Sequence, residues 1–122
     1  MKQATSTFGK TGEEIAAKYL LKKGYAILER NYRFGKKEID IICRKDGEII
    51  FVEVKTRTSA QWSYPEQAVG VVKQSAIRLV AENFLDEREI IAPCRFDIVA
   101  VIKGEYFEIE HFEDAFYPFE AL

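Results

Sequence analysis

The dipeptide Asp46-Gly47 stands between two runs rich in Ile, Val and Phe, EIDIICR at 38–44 and EIIFVEVKTR at 48–57. Asp and Gly both tolerate the positive φ angles of a two-residue turn, so this pattern is the strongest short-range signal for a β-hairpin. Such a turn fixes the register: Lys45 faces Glu48, and counting outward Asp40 faces Glu53 and Glu38 faces Lys55. Directly opposed side chains have Cβ atoms about 4.5 to 5.5 Å apart, and like charges there repel. A hard divalent cation would offset the repulsion, because Mg²⁺ bonds carboxylate oxygens at about 2.0 to 2.1 Å. Lys55 shares the face of Glu53. Two carboxylates and an amine therefore gather at one strand end.

The alternative is a solvated face crossed by ion pairs, Glu38 with Lys55 among them. Two features weigh against it. On this face the acids continue into Ile42 opposite Phe51, while Ile39, Ile41, Val52 and Val54 fill the other face. Residues 48–57 thus read as a central strand covered on both sides, where unpartnered ionised groups are costly.

Thr11 to Glu14 has the Thr-x-x-Glu form of a capping box, and Ile15, Ala16, Tyr19 and Leu20 follow at helical spacing, which predicts a helix over residues 11–23 stopped by Gly24. Strands are expected at 25–34, 38–44, 48–57, 95–102 and 106–111, and a second helix at 71–85. The order α-β-β-β-α-β-β implies an α/β fold with a mixed central sheet flanked by helices. A chain of 122 residues without repeat or linker suits a single domain, 1–122. Cys43 and Cys94 lack ligand spacing and read as free thiols, and His111 reads as structural. No apolar run is long enough for a membrane span, and residues 1–9 lack a signal-peptide core, so a cytoplasmic protein without a membrane partner is expected.

Each helix carries one misplaced charge. Glu14 aligns with Lys18 and Lys22 on a solvated face. Glu13 instead falls within the apolar arc, from where it either meets the helix dipole or points at the sheet. Lys73 lies in line with Ile77, Val80, Ala81 and Phe84. A Lys there usually snorkels to the rim, but in the first turn it can lean toward a phosphate over the sheet edge. Trp62 and Tyr64, in a polar loop, are candidates for stacking on bases or packing on the domain or a second subunit.

Asp40 followed by Glu53-Val54-Lys55 across a hairpin resembles the PD-(D/E)xK signature of restriction-endonuclease-like nucleases, and the layout is similar to archaeal Holliday-junction resolvases. More closely, Gly9-x-x-Gly12-Glu13-x-x-Ala16, Arg30-Asn31-Tyr32-Arg33, Glu38-Ile39-Asp40, Phe51 to Arg57, Lys73 and Arg95-Phe96-Asp97 resemble the uncharacterised bacterial YraN-like family. The resemblance implies that Asp40 and Glu53, with the Val54 carbonyl as a further ligand, hold Mg²⁺ or Mn²⁺. It implies that Lys55 steers the attacking water or stabilises developing charge, and that Glu13 completes the metal shell through water. Lys37 stands where the family usually has Gly, Asp114 replaces its usual Asn, and the literal Pro-Asp is absent.

The implied function is nucleic-acid binding with metal-dependent phosphodiester hydrolysis, branched or structured DNA being the favoured substrate and RNA remaining open. Two rivals stand beside it: a non-catalytic nucleic-acid-binding module with the same fold, and an interaction protein whose acids form an ion-pair network. Cutting both strands of a junction would be simplest for a homodimer with two-fold symmetry. The net charge of -2 argues at first against a nucleic-acid binder. Division by position changes that: residues 1–80 hold 15 basic and 9 acidic side chains, and residues 81–122 hold 3 and 11. The segment carrying the site is basic, with Lys36, Lys37, Arg57 and Lys73 as candidate phosphate contacts.

Overall fold

A computed structural model describes residues 2–58 and 71–116 of the chain, with side chains for 10–58 and 73–116. The elements are α1 (Lys2–Lys22), β1 (Ala26–Phe34), β2 (Lys37–Lys45), β3 (Glu48–Thr58), α2 (Val71–Arg88), β4 (Cys94–Lys103) and β5 (Phe107–Phe116). They form one five-stranded sheet in the order β1-β2-β3-β4-β5. β3 and β4 are parallel, joined through α2, and every other neighbouring pair is antiparallel. The order α-β-β-β-α-β-β of a restriction-endonuclease-like core is the one observed.

The hairpin turn is as the sequence dictates. Asp46 and Gly47 both take positive φ, 53° and 79°, and the ladder runs from Lys45↔Glu48 to Ile41↔Val52. β3 is covered on both faces. On one side α1 packs Ala16, Ala17 and Leu20 against Ile41, Ile50, Val52 and Val99. On the other, α2 packs Ile77, Val80 and Phe84 against Ile42, Phe51, Phe96 and Ile98. Each buried side chain of this size removes enough apolar surface to contribute about 1.5 to 3 kcal/mol.

Three boundaries differ from expectation by three residues or more, one being the end of α2, which runs to Arg88 and not to Leu85. α1 begins at Lys2, so Thr11 to Glu14 lies inside the helix and is not its cap. Residues 2–10 contain no proline, and once a helix is nucleated each further residue adds a hydrogen bond. The dipole reading of Glu13 falls with the cap, because that interaction fades beyond the first turn. The C-terminus of α1 does follow the sequence: Gly24 takes φ 93°, and Gly24 N–H and Tyr25 N–H donate back to the carbonyls of Leu21 and Leu20. β5 also extends beyond residue 111 to Phe116. A register shift between Phe96 and Ile98 of β4, with Asp114 at φ 55°, lets the aromatic segment continue the strand.

Gly12 is buried where α1 crosses β3. A Cβ there would stand 1.9 Å from Thr56 Cγ2. Glycine within a helix is unfavourable by about 1 kcal/mol relative to alanine, and here it allows the close approach of helix and strand.

Candidate metal and nucleic-acid site

β2 and β3 part company where the acids begin. Their ladder ends at Ile41↔Val52, while β1 stays paired with β2 to Phe34↔Lys37 and β3 with β4 to Thr58↔Lys103. The sheet is thus forked, with the β1-β2 hairpin as one arm and the end of β3-β4 as the other. At the crotch the Asp40 carboxylate takes the place of a backbone acceptor: Val54 N–H donates to Asp40 Oδ2 at 2.8 Å.

Asn31 shows how Asp40 comes to point there. Its φ of 53° interrupts the alternation of β1. Arg30 reaches Glu14 on α1 at 2.9 Å, yet Tyr32, two residues on, packs edge-on against Phe84 of α2. The Tyr32 hydroxyl donates to Glu87 and accepts from Asn83, both on α2. β2 repeats the switch, with Ile41 in the cluster under α1 and Ile39 in the cluster under α2. Regular alternation would place both on one face, as the sequence suggests; the irregularity at Asn31 sends Ile39 across and frees Asp40 to lie along the sheet. The Asn31 amide donates to Glu13 and to Glu38, each at 3.2 Å, and the charge of Glu13 is felt at Asp40. Glu13 nevertheless lines a separate cavity of about 540 Å³ with Lys10, Arg30 and Asn31, not the one that holds Asp40 and Glu53.

Glu53 is 5% exposed, and its closest cation is Lys73, 3.5 Å away. Burial raises the Glu53 pKa, and the charges of Lys73 and Lys55 oppose the rise. Asp40 is pushed up to about 7, first by burial and then by the charge of Glu53, against the Val54 N–H bond. Burial and the adjacent ammonium of Lys73 lower the Lys55 pKa. A cavity of about 450 Å³ joins Asp40, Glu53, Lys73, Lys36 and Lys37. Arg57 lies close enough to Lys55 for its charge to contribute to that lowering, and its guanidinium donates to the Thr56 carbonyl at 2.9 Å.

The Glu38–Lys55 ion pair of the solvated-face alternative is absent among the described residues. Glu38 pairs with Arg33 at 2.6 Å instead, because the strands have separated before Lys55 is reached. Glu14 joins Arg30, a long-range partner in place of the expected helical one. Trp62 and Tyr64 lie outside the described residues. Cys43 is buried and Cys94 half-buried, both free.

No group of three or more His, Cys, Asp or Glu side chains among the described residues is arranged to hold a metal. The donor set that fits is smaller: Asp40 and Glu53, plus the Val54 carbonyl, which by strand geometry points to the same side as its N–H. One or two carboxylates completed by water and substrate phosphate are the usual protein share of a Mg²⁺ site. Asp40 keeps one oxygen free of the Val54 bond, and two crowded acids, one buried and one part-buried, supply the negative charge that a cation would relieve.

A second polar cluster lies on the α1 face, and sequence spacing did not reveal it. Fully buried Asp97 accepts from Arg95 at 2.8 and 2.9 Å and from Asp114 N–H at 3.0 Å, with His111 Nε2 at 2.7 Å. The Tyr19 hydroxyl meets the other nitrogen of His111 at 3.0 Å, and Arg95 also donates to Tyr25. Burial opposes the Asp97 charge, but hydrogen bonds from His111 and Arg95 outweigh it and hold its pKa below the usual carboxylate range. The cluster fixes the β4-β5 irregularity through Asp114, so the structural reading of His111 agrees with its surroundings. No helix among the described residues is long and apolar enough to cross a membrane.

Comparison with known proteins gives a consistent answer. Residues 12–101 match the family described as Uncharacterised protein family UPF0102. A UPF0102 protein of Phocaeicola vulgatus is 46% identical over 113 residues, covering 91% of this chain and 93% of its own. One from Flavobacterium psychrophilum is 44% identical over 112 residues, with 91% and 94% covered, and one from Natranaerobius thermophilus 45% identical over 113, with 88% and 95% covered. The chain carrying this forked sheet belongs to uncharacterised protein family UPF0102, the YraN-like family of its sequence motifs.

Proposed function

We propose that the site hydrolyses phosphodiester bonds of nucleic acid, with Mg²⁺ or Mn²⁺ held by Asp40, Glu53 and the Val54 carbonyl. The observation that carries this reading is the pair of carboxylates at the crotch of the fork, Glu53 buried and Asp40 part-buried, with two lysines beside them and two more lining the same cavity. When bound, the metal supplies polarisation of the phosphate and a more acidic water.

The chain's own groups do the rest. Asp40 and Glu53 form a rigid anionic seat, since Asp40 is tethered to Val54 N–H and Glu53 is buried in β3. Lys55, with its lowered pKa, is suited to orient the attacking water and accept its proton, or in its charged form to stabilise the developing negative charge. Lys73 neutralises Glu53 and is half-exposed, so it can turn to a phosphate oxygen once Glu53 has another partner. Lys36, Lys37 and Arg57 give the two arms positive charge for the backbone. Glu13, whose charge is felt at Asp40, is the candidate to hold water between the two cavities. Branched or structured DNA is the favoured substrate through the resemblance to junction resolvases, with RNA as the second candidate.

A non-catalytic binding module has one observation in its favour: Lys73 already compensates Glu53 without a metal. Incubation of the purified chain with branched DNA and Mg²⁺ separates the readings. Nicking that disappears in Glu53→Ala and Lys55→Ala, with folding retained, supports hydrolysis. Cleavage that persists in both variants, or salt-sensitive binding without cleavage, refutes it.

A further inference from the structure

The arm formed by β1 and β2 ends in an aromatic side chain that nothing in the fold requires. Phe34 occupies the last rung of the hairpin, opposite Lys37, and is 47% exposed. Alternation from Tyr32, which packs on α2, places Phe34 on the α2 side of the sheet, the side on which the cavity opens. Lys36 and Lys37, immediately beyond it, line that cavity with Asp40 and Glu53, and neither lysine has an ion pair among the described residues. Arg33, by contrast, is held by Glu38. The tip therefore offers two cations on a common cavity with the carboxylates, and one bare ring paired across the last rung with one of them. Aromatic rings beside a basic groove accept nucleobases through stacking, and apolar side chains of this kind also enter base steps as wedges.

Resting on the proposed nucleic-acid site, we infer that Phe34 is a base-stacking wedge that selects unpaired or unstacked nucleotides beside the carboxylates. Lys36 and Lys37 hold the flanking phosphates irrespective of sequence. A fully paired duplex gains only the phosphate contacts, because opening a base step opposes insertion. A bulge or branch point presents a base already free to stack.

The test uses the full chain without divalent metal, binding two DNA duplexes, one fully paired and one with a central bulge containing 2-aminopurine. The wild type is expected to prefer the bulge and to quench the 2-aminopurine. Phe34→Ala should weaken bulge binding about tenfold, abolish the quenching and leave paired-duplex binding unchanged. Phe34→Trp should keep both preference and quenching, which also guards against a folding artefact. Replacement of Lys36 and Lys37 by Ala should weaken both duplexes alike and flatten the salt dependence. Equal affinities of wild type and Phe34→Ala for the bulge, or binding of neither duplex by the wild type, overturns the inference. A Phe34-dependent preference without cleavage on adding Mg²⁺ keeps the wedge and removes the nuclease reading. Cleavage without that preference does the reverse.

Discussion

Gly12→Ala measures how tightly α1 is seated over the site. The new Cβ would lie 1.9 Å from Thr56 Cγ2, whereas carbon atoms rest about 3.5 to 4.0 Å apart, so roughly 2 Å of separation must be created. Thr56 is β-branched on a strand and turns aside only at some energetic cost. Overpacking of this kind costs about 1 to 3 kcal/mol, while alanine in place of glycine returns about 1 kcal/mol of helix propensity. The expected net is a destabilisation of up to about 2 kcal/mol. Thr56→Ser deletes Cγ2 and leaves Thr56 Cβ, 3.3 Å away, as the nearest obstacle. The double variant should therefore recover most of the loss, with a coupling of about 1 to 2 kcal/mol in a double-mutant cycle from urea unfolding. If Gly12→Ala is instead stabilised by about 1 kcal/mol and Thr56→Ser changes nothing further, helix and strand can part freely and the close-seating argument is wrong.

Asn31→Gly keeps the left-handed backbone but loses both carboxylate tethers, whereas Asn31→Ala also strains the backbone by about 1 to 2 kcal/mol; urea midpoints should rank wild type and Gly above Ala. The Asp40 pKa is raised in the fold above its unfolded value near 3.9, so stability without metal should increase as pH falls from about 7 toward 4, with a slope of at most about 1.4 kcal/mol per pH unit. Asp40→Asn should flatten that slope, and an unchanged slope would mean that another group carries it. Asp97 is the opposite case: its depressed pKa gives stability that is fully present above about pH 4 and lost as pH falls through the folded value. Asp97→Asn should destabilise at neutral pH, by less than the about 3 to 5 kcal/mol of a wholly uncompensated buried charge because Arg95 keeps Glu48 at 3.5 Å and Glu113 at 3.8 Å, as thermal unfolding would register.

Much of this architecture is written locally. Asp46-Gly47 sets a hairpin whose register holds to Ile41↔Val52, and the mixed parity of residues 48–57 marks a strand buried on both faces. Lys73 was visible as a cation in an apolar stripe, and it does meet Glu53. What stayed hidden depends on interactions distant in sequence. Nothing near Asn31 announces that it breaks the strand period, since Asn in the left-handed region looks the same in sequence as Asn in a loop. Without that break, the hairpin count carried Glu38 to Lys55 across strands that have already separated. Asp97, His111, Tyr19 and Tyr25 lie on three different strands or helices and the loop before β1, at separations no periodicity connects. The start of α1 misled for a different reason, because a Thr-x-x-Glu pattern caps a helix only when the preceding chain is not helical.

Among the described residues the fork leaves a central strand with part of one side unpaired, and an unpaired strand edge is a template for another chain. Asp40 occupies the Val54 N–H and Arg57 covers the Thr56 carbonyl, so two polar side chains stand where a foreign backbone would dock. The residue proposed to seat the metal is also a guard against aggregation. Removing its carboxylate in Asp40→Ala would uncover the edge, and loss of soluble, monodisperse protein would then mimic loss of activity. Asp40→Asn, which retains an acceptor for Val54, distinguishes the two.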